Sequence, residues 1–230
     1  MSYGYRGKVL YANLSIGKLT VEEPSEKFYR TYLGGSAMGT YYLLQHTPPQ
    51  ADPLGPGNTL SLMVGVVTGA PISGQSRVCA TAKSPITGLV GDSQAGGFWP
   101  AELKAAGFDG IVLHGKADRP VYLWVHDGEA ELRDAASLWG LFTADVEDAV
   151  RAELGGDHIQ VLQCGPAAEK GVRFGALINN ANRANGRTGM GTVMASKNLK
   201  AVVAKGTGPL PDVYDEEKMK SCFKKIIEKT

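Results

Sequence analysis

Apolar and polar residues alternate near the start of the chain in the pattern of an antiparallel hairpin. Residues 8–14 are KVLYANL, residues 15–18 have the composition of a turn, and residues 19–23 continue as LTVEE. Since side chains on a strand point alternately to opposite faces, this pattern predicts two paired strands.

Two helices are predicted to follow the hairpin. Ser25 is a residue type that caps helix N-termini, and the helix that it begins is expected to end at the glycines 34 and 35. The apolar stripe of this helix consists of Phe28, Tyr32 and Leu33. A second helix is predicted from Ser36 to Leu44, because the prolines at 48 and 49 cannot continue it.

The next part of the chain predicts strands at residues 59–67, 78–83 and 109–114. The first of them is a nearly continuous apolar run, typical of a strand buried on both faces. Residues 91–97 contain glycines and polar residues and predict a loop. Proline in a first turn predicts a helix over residues 100–106.

The same order of elements recurs from Val121 onward. Residues 120–134 predict another hairpin, and Thr143 is expected to cap an amphipathic helix that the glycines 155 and 156 end. Later strands also correspond, with IQVLQCG matching LSLMVG, VRFGALI matching VCATAKS, and KAVVAKGT matching GIVLHGKA. The offset shrinks from roughly 120 to roughly 90 residues, which indicates an old duplication rather than a tandem repeat. An accidental similarity of two patterns is the alternative.

We therefore predict an α+β fold of two similar β-rich subdomains, about 1–117 and 118–210, in one domain of residues 1–210. Residues 215–229 have apolar residues at the spacing of one helix face. These residues are Met219, Cys222, Phe223, Ile226 and Ile227. Few residues remain to cover that face, so we expect residues 211–230 to begin a helix that leads to a further domain.

Composition argues against several classes of partner. The 230 residues are 43% hydrophobic, enough for a sizeable core, and include 24 basic residues against 23 acidic ones. That balance gives no global field to attract nucleic acid or an anionic membrane. No apolar run is long enough for a membrane span and the N-terminus has no signal-peptide core, so we expect a cytoplasmic protein.

Neither the cysteines nor the histidines have the spacing of a metal site or a catalytic triad. The three cysteines, Cys79, Cys164 and Cys222, are far apart in the sequence, and we expect them to be buried thiols. The four histidines are His46, His114, His126 and His158. We expect these histidines to lie at the surface or to be hydrogen-bonded inside the protein, without a catalytic role.

Residues 179–201, NNANRANGRTGMGTVMASKNLKA, have a composition suited to binding an anion. Their glycines, which allow positive φ or the close approach of a ligand, are Gly186, Gly189 and Gly191. Arg183 and Arg187 carry planar, permanently charged groups that match phosphate. With so few large apolar residues, this stretch is predicted to lie outside the core.

Two named phosphate motifs do not fit this stretch. A P-loop requires lysine where Thr192 follows Gly191, and a dinucleotide fingerprint requires glycine or alanine where Met194 stands. A plain surface connection is the alternative to an anion site, since such loops commonly have this composition.

Three segments match the pattern of one known family in order and spacing. They are residues 183–201, Arg77 followed by KSPITG at residues 83–88, and AGGFWPAELK at residues 95–104. With these segments, nearly the whole chain resembles the N-terminal, pterin-binding domain of the aldehyde ferredoxin oxidoreductase family. Members of that family bind tungsten through the dithiolenes of two pterins, beside a four-iron four-sulfur cluster.

The resemblance implies a platform for a tungsten or molybdenum bis-pterin cofactor. The enzyme that contains it is expected to convert an aldehyde and water to a carboxylic acid, and to pass electrons through the iron–sulfur cluster to ferredoxin. A homo-oligomeric full-length enzyme is also implied.

The resemblance also assigns site residues by position. Contacts to the pterins are expected from Arg77, Gln94, Ala95, Gly96, Arg183, Ala184, Gly186 and Arg187. The backbone carbonyls of Gln94 and Ala184 are expected to bind a magnesium ion that bridges the pterin phosphates. Many relatives have asparagine in place of Gln94, a change that keeps a carbonyl ligand but alters any contact of the side chain.

The family's cluster cysteines, spaced C-x-x-C-x-x-x-C, belong to later domains and are not among these 230 residues. We therefore expect a part of a longer enzyme that is inactive alone. A stand-alone pterin-binding or scaffold protein without catalysis is the alternative, and C-x-x-C-x-x-x-C encoded beyond Thr230 would decide for the enzyme.

Duplication has a geometric consequence for the site. Loops 91–97 and 179–191 are expected to approach each other across a twofold axis, on one concave, polar face that grips both halves of a bis-pterin ligand. Strands 109–114 and 199–204 should then occupy equivalent places.

Overall fold

The first half of the chain forms one six-stranded mixed sheet. The computed structural model describes residues 3–72, 74–156 and 158–228. The strands are β1 (Val9–Asn13), β2 (Lys18–Glu22), β3 (Leu60–Val64), β4 (Val78–Lys83), β5 (Val90–Ala95) and β6 (Gly110–His114). Their spatial order is β2-β1-β6-β3-β4-β5, and the predicted hairpin is β1 with β2.

The second half forms a sheet of the same design. Its strands are β7 (Val121–His126), β8 (Glu129–Asp134), β9 (Gln160–Cys164), β10 (Leu177–Asn179), β11 (Arg183–Asn185) and β12 (Leu199–Lys205). The order β8-β7-β12-β9-β10-β11 repeats that of the first sheet strand for strand. In each sheet one pair is parallel, β1 with β6 and β7 with β12. The predicted α+β fold with two similar β-rich parts is confirmed, and β6 and β12 occupy equivalent places.

Five helices lie close to their predicted positions, namely α1 (Glu26–Tyr32), α2 (Gly35–His46), α3 (Trp99–Ala105), α4 (Thr143–Leu154) and α7 (Glu216–Ile227). The helices α5 (Pro166–Glu169) and α6 (Met190–Ser196) and a 3-10 turn at Ala136–Leu138 were not predicted. Ser25 caps α1 as predicted, since its Oγ accepts a hydrogen bond from the Phe28 nitrogen at 3.3 Å. Gly155 ends α4 in the left-handed conformation.

Three details of the helix predictions were wrong. Leu33 is exposed at the C-cap of α1, and Tyr29 is the residue of that helix that is fully buried. Helix α2 begins at Gly35 rather than at Ser36 and ends at His46 rather than at Leu44, and its N-cap is Gly34, whose φ of 136° favours glycine. Thr143 is the first residue of α4 rather than its cap, which is Phe142.

Residues 91–97 were wrongly predicted to be a loop. Most of them belong to β5, which pairs with β4 along its whole length. Gly91, Ser93 and Ala95 are buried on one face, and Gln94 is exposed on the other. A Cβ on Gly91 would lie 2.8 Å from Cε of Met190. Glycine is therefore required here for close packing of a strand, and not for a turn.

The segment 179–201 was wrongly predicted to lie outside the core. All residues of α6 from Met190 to Ala195 are buried, in contact with strands of both sheets. A Cβ on Gly191 would overlap the carbonyl oxygen of Ala176. Small side chains let this helix fit between the sheets, so a lack of bulk here indicates tight packing.

The two halves share one hydrophobic core. It contains Leu62 and Ile111 of the first sheet together with Leu162 and Val202 of the second. Trp99 of α3 is completely buried, and its Nε1 donates a hydrogen bond to the Val202 carbonyl at 2.8 Å. Packing and hydrogen bonding therefore both join the halves.

Three lysines are buried and bind main-chain or carboxylate oxygens. Lys104 donates to the carbonyls of Gly65 and Val66, and it faces Asp109 at 3.8 Å. Lys197 donates to the carbonyls of Asn58 and Gly115, and Lys200 pairs with Glu169. Burial of an ammonium group is costly unless it is bonded in this way.

The C-terminal helix α7 follows its predicted pattern, apart from residues 229 and 230, which lie outside the described residues. Its N-cap is Asp215, whose carboxylate accepts from the Lys218 nitrogen at 2.8 Å. No residue of α7 is buried, and Cys222 is exposed, so the prediction of a buried thiol was wrong there and right for Cys79 and Cys164.

The buried lysines predict a pH dependence of stability. Burial lowers the pKa of Lys197 from its usual 10.5 to about 7. Between these values the unfolded chain binds a proton that the folded chain does not, so the free energy of unfolding should rise with pH there, by at most about 1.4 kcal/mol per pH unit from this group. Urea unfolding at several pH values measures that slope.

The variant Lys197→Met removes the titrating group and should flatten the slope. Lys27→Met, at an exposed position of α1, is the matched control and should leave it unchanged. An equal slope in the wild type and Lys197→Met would contradict the assignment, whatever the absolute stabilities.

Candidate functional site

The edge strands β5 and β11 of the two sheets lie next to each other. Asn185, fully buried on β11, donates from Nδ2 to the Ser93 carbonyl at 2.7 Å and to the Val78 carbonyl at 3.3 Å. The backbone nitrogen of Arg187 donates to Oγ of Ser93 at 3.2 Å. These bonds hold the end of β11 against β5.

Further hydrogen bonds join the segments that follow the two strands. Asn179 is also fully buried and donates from Nδ2 to the Gly96 carbonyl at 2.9 Å. The Phe98 nitrogen donates to Oδ1 of Asn180 at 2.7 Å, and Oγ of Ser84 donates to the Thr188 carbonyl at 2.9 Å. The expected approach of segments 91–97 and 179–191 is therefore confirmed, while the rotation relating the halves stays a prediction.

Cross-strand pairing makes particular residues of the two halves equivalent. The middle residues of β3 and β9 are Leu62 and Leu162. Moving outward from them, the partners are Ala80 then Ser93 in the first sheet, and Asn179 then Arg183 in the second. The residues after Ser93 and Arg183 are Gln94 and Ala184. The two positions assigned by resemblance to carbonyl ligands are thus at the same place in their sheets.

The facing strands line a polar cavity of about 540 Å³. Its walls are Asp92, Ser93 and Gln94 of the first half, and Ala184, Gly186 and Arg187 of the second. A second cavity of about 590 Å³ is lined by Gly97 and Phe98 together with residues of the second half that include Arg183 and Asn182. The predicted concave, polar face exists, and residues of both halves line it.

Three arginines at this face have no partner within the described residues. Arg77 precedes β4, and its Nη1 lies 3.7 Å from the position of a Cβ on Gly96. Arg183 begins β11 and Arg187 follows its end, and all three side chains are exposed. Apart from Arg173, each remaining arginine donates a hydrogen bond or forms an ion pair in the chain. The three guanidinium groups therefore remain available to an anion from outside.

At two positions of this face, neither the backbone conformation nor the surrounding protein atoms require a glycine. Neither Gly96 nor Gly186 has a positive φ. A Cβ on Gly96 would meet no atom closer than 3.7 Å, and one on Gly186 none closer than 4.0 Å. Gly189 differs, since its φ is 77° and a Cβ would overlap the Arg173 carbonyl oxygen. Of the predicted glycines, Gly96 and Gly186 are the ones with open space beside them. Gly186 lines the cavity, and Gly96 lies next to Arg77.

The remaining predicted site residues have distinct environments. Ala95 is buried and pairs with Val78, so its side chain belongs to the core and only its backbone can serve a ligand. Gln94 is exposed, and its Nε2 donates to Oγ of Ser36 at 3.2 Å. Ser36 in turn donates to Asp92 at 2.9 Å, so the Gln94 side chain is positioned from the N-terminus of α2.

A buried carboxylate supports the second cavity. Oε1 of Glu147 accepts from the Ala181 nitrogen at 2.8 Å, and its Oε2 lies 3.2 Å from the guanidinium of Arg151. Burial raises the pKa of Glu147, and the Ala181 hydrogen bond and Arg151 oppose this rise. The bond to Ala181 fixes the turn between β10 and β11.

Asn179 and Asn185 were not singled out from the sequence, although they connect the two halves. Sequence patterns alone do not indicate this role, because asparagine is common in surface turns. Among residues 3–72, 74–156 and 158–228, no three His, Cys, Asp or Glu side chains are placed to bind a metal ion. Over the same ranges, no helix has both the length and the apolarity needed to cross a bilayer.

Comparison with known proteins gives a consistent set of relatives. The family model described as "Aldehyde ferredoxin oxidoreductase, N-terminal domain" matches residues 9–206. The chain is 42% identical over 227 residues to a tungsten-containing aldehyde ferredoxin oxidoreductase of Pyrococcus abyssi. It is 39% identical over 243 residues to an aliphatic sulfonate oxidoreductase, WOR-like subunit, of Pyrococcus furiosus. These matches cover 99% and 97% of this chain, but 37% and 38% of the relatives.

A solved structure has the same fold. It is the active site complex BamBC of benzoyl coenzyme A reductase with 1,5-dienoyl-CoA, with a TM-score of 0.95 and 32% identity. The match covers 99% of this chain and 35% of the other. The family model and the relatives agree over nearly all of the sequence. The chain therefore belongs to the aldehyde ferredoxin oxidoreductase family of oxidoreductases, whose N-terminal domain it matches.

Proposed function

We propose that the face where β5 meets β11 binds the phosphate-bearing bis-pterin of a tungsten or molybdenum cofactor. The observation that carries this proposal is the coincidence of three partner-free arginines with two open glycines, contributed by equivalent strands of both halves. A ligand with two similar halves fits a surface with two similar halves. The tungsten named in several relatives supports the choice of metal.

The residues present fit such a ligand. Arg77, Arg183 and Arg187 supply planar donors that form charge-assisted hydrogen bonds with phosphate. Gly96 and Gly186 let the pterin phosphates approach the backbone N–H groups. The carbonyls of Gln94 and Ala184 are hard oxygen ligands of the kind that magnesium prefers, on edge strands that leave half of their polar groups unpaired.

The chain's own contribution is to bind, orient and neutralise. When bound, the cofactor supplies two-electron redox chemistry. In the proposed reaction an aldehyde and water give a carboxylic acid, two protons and two electrons. A four-iron four-sulfur cluster bound by residues outside this chain would supply the route for these electrons to ferredoxin. The arginines keep the anionic cofactor in place and fix its orientation, and they exchange no proton with the substrate.

We also propose a domain organisation. Residues 1–210 form the cofactor domain, with halves of about 1–117 and 118–210 that each contribute one edge strand. The chain spans about 37% of the length of the curated relatives that it matches.

Arg183→Ala should reduce cofactor retention in the enzyme that contains this domain. Losing a charge-assisted hydrogen bond costs about 1.5–3 kcal/mol, which corresponds to a roughly ten- to hundredfold weaker affinity. The measurement is tungsten per chain together with activity per tungsten. Arg173→Ala is the matched control, because Arg173 is exposed and partner-free but lines neither cavity.

The two readouts separate binding from chemistry. Lower tungsten content with unchanged activity per tungsten is the expected result for Arg183→Ala. Full tungsten content with low activity would instead place Arg183 in the reaction, and equal losses in both variants would show a general effect of charge.

Gly186→Ala tests the open glycine. Since its Cβ would meet no protein atom within van der Waals contact, we expect normal thermal stability but reduced cofactor content. Gly191→Ala is the counterpart, and it should lower stability by about 1–3 kcal/mol because its Cβ overlaps the Ala176 carbonyl. Unaltered cofactor content in Gly186→Ala would contradict close approach of the cofactor at this strand.

The 230-residue chain alone should not oxidise aldehydes. Its cysteines are two buried thiols and one on α7, so it offers no set of ligands for an iron–sulfur cluster. A dye-coupled assay on the purified chain, supplied with cofactor, measures this directly. Turnover by the chain alone would show that catalysis needs no further domain.

A further inference from the structure

A third cavity, with a distinct chemistry, lies between the end of β2 and the helices α1 and α2. It has a volume of about 540 Å³ and shares no lining residue with the β5–β11 face. Its principal walls are Glu22, Glu23, Phe28, Tyr41, Tyr42 and His46. We call it the aromatic cavity.

Three aromatic rings of this cavity stand at steep angles to one another. The ring centroids of Phe28 and Tyr41 are 4.9 Å apart with planes at 73°, and those of Tyr41 and Tyr42 are 5.3 Å apart at 83°. Phe28 and Tyr42 complete the set at 6.0 Å and 61°. Tyr42 is buried, whereas Phe28 and Tyr41 are partly exposed, so these two rings are the ones available to a positive charge in the cavity.

The charged residues of the cavity are acidic and lack basic partners. Within the described residues, neither Glu22 nor Glu23 forms an ion pair. Tyr42 is 2% exposed, and its hydroxyl donates to Oε2 of Glu22 at 3.2 Å, so the inner wall holds that carboxylate in position. His46 stacks on Tyr42 with planes at 9° and ring centroids 6.1 Å apart.

We propose that the aromatic cavity binds an organic cation, namely an alkylated ammonium or a guanidinium group. The rings supply cation–π attraction, and the two carboxylates supply a net negative wall that rejects anions. A volume of this size accommodates a group of that kind with its substituents.

Core packing alone does not explain this arrangement. The buried apolar cluster beneath the cavity already includes Tyr29, Met38 and Met63, and Phe28 and Tyr41 pack on it from its partly exposed side. Two carboxylates without basic partners would add nothing to such a cluster. The partly exposed rings and the two carboxylates without basic partners fit a site whose positive charge comes from a bound ligand.

Calorimetric titration with matched probes tests the proposal. Choline and 3,3-dimethylbutanol have nearly the same shape, but only choline is charged. We expect choline to bind and the alcohol not to bind. A blocked arginine, N-acetyl-argininamide, forms the second arm: stronger binding than choline would identify the cation as a guanidinium, and weaker binding would identify it as an alkylated ammonium.

Variants locate the binding. Tyr41→Leu and Glu23→Gln should each weaken binding of the preferred cation by roughly 2- to 30-fold, as expected for loss of one cation–π or charge contact. Tyr32→Leu is the control, because Tyr32 packs on Tyr41 at 4.8 Å in the same cluster but is not among the residues that line this cavity. Circular dichroism verifies that each variant is folded.

Several results would overturn the proposal. These are no saturable binding of either cation, equal binding of choline and its neutral analogue, or an equal loss in Tyr32→Leu and Tyr41→Leu. A binding defect confined to Tyr41→Leu and Glu23→Gln would establish the site whatever the outcome at the β5–β11 face.

Discussion

The site depends on two buried asparagines that join the edges of two separate sheets. Asn185 reaches the backbone of β4 and β5, and Asn179 reaches the backbone just after β5. Each such hydrogen bond contributes about 0.5–1.5 kcal/mol net, but a buried amide left unpaired costs about 1–3 kcal/mol. A mutual shift of the strands would break several of these bonds together. The asparagines therefore fix how the two edge strands that line the cavity, β5 and β11, face each other.

Much of the fold follows from local sequence patterns. Alternation at residues 8–23 and 120–134 predicted both hairpins, and the apolar run at 59–67 predicted the buried strand β3. Errors occurred where burial is decided by distant partners. The polar, glycine-containing sequences around Gly91 and Gly191 resemble loops, yet both positions require glycine for close packing. Gly91 packs against Met190 of the other half, and Gly191 packs against the Ala176 carbonyl of its own half. No local pattern distinguishes a small residue in a turn from one in a tight contact.

The candidate site was predictable in part. The charged, planar side chains of Arg183 and Arg187 indicated an anion site. The similarity of the two halves predicted that segments 91–97 and 179–191 approach each other. Cross-strand register adds what the sequence could not show, namely that Gln94 and Ala184 occupy equivalent positions. The atoms around each glycine separate Gly96 and Gly186, which have open space beside them, from Gly189, whose Cβ would overlap the Arg173 carbonyl oxygen. The environment of each glycine, rather than its presence, carries the functional information.

The central claim is that equivalent strands of two halves together hold one cofactor. Anomalous X-ray diffraction at the tungsten edge, on crystals of the cofactor-loaded enzyme, tests it most directly. The account predicts one tungsten peak over the β5–β11 face, and electron density for the phosphates of one pterin in contact with each half. A peak bound to one half only, or far from this junction, would contradict the account.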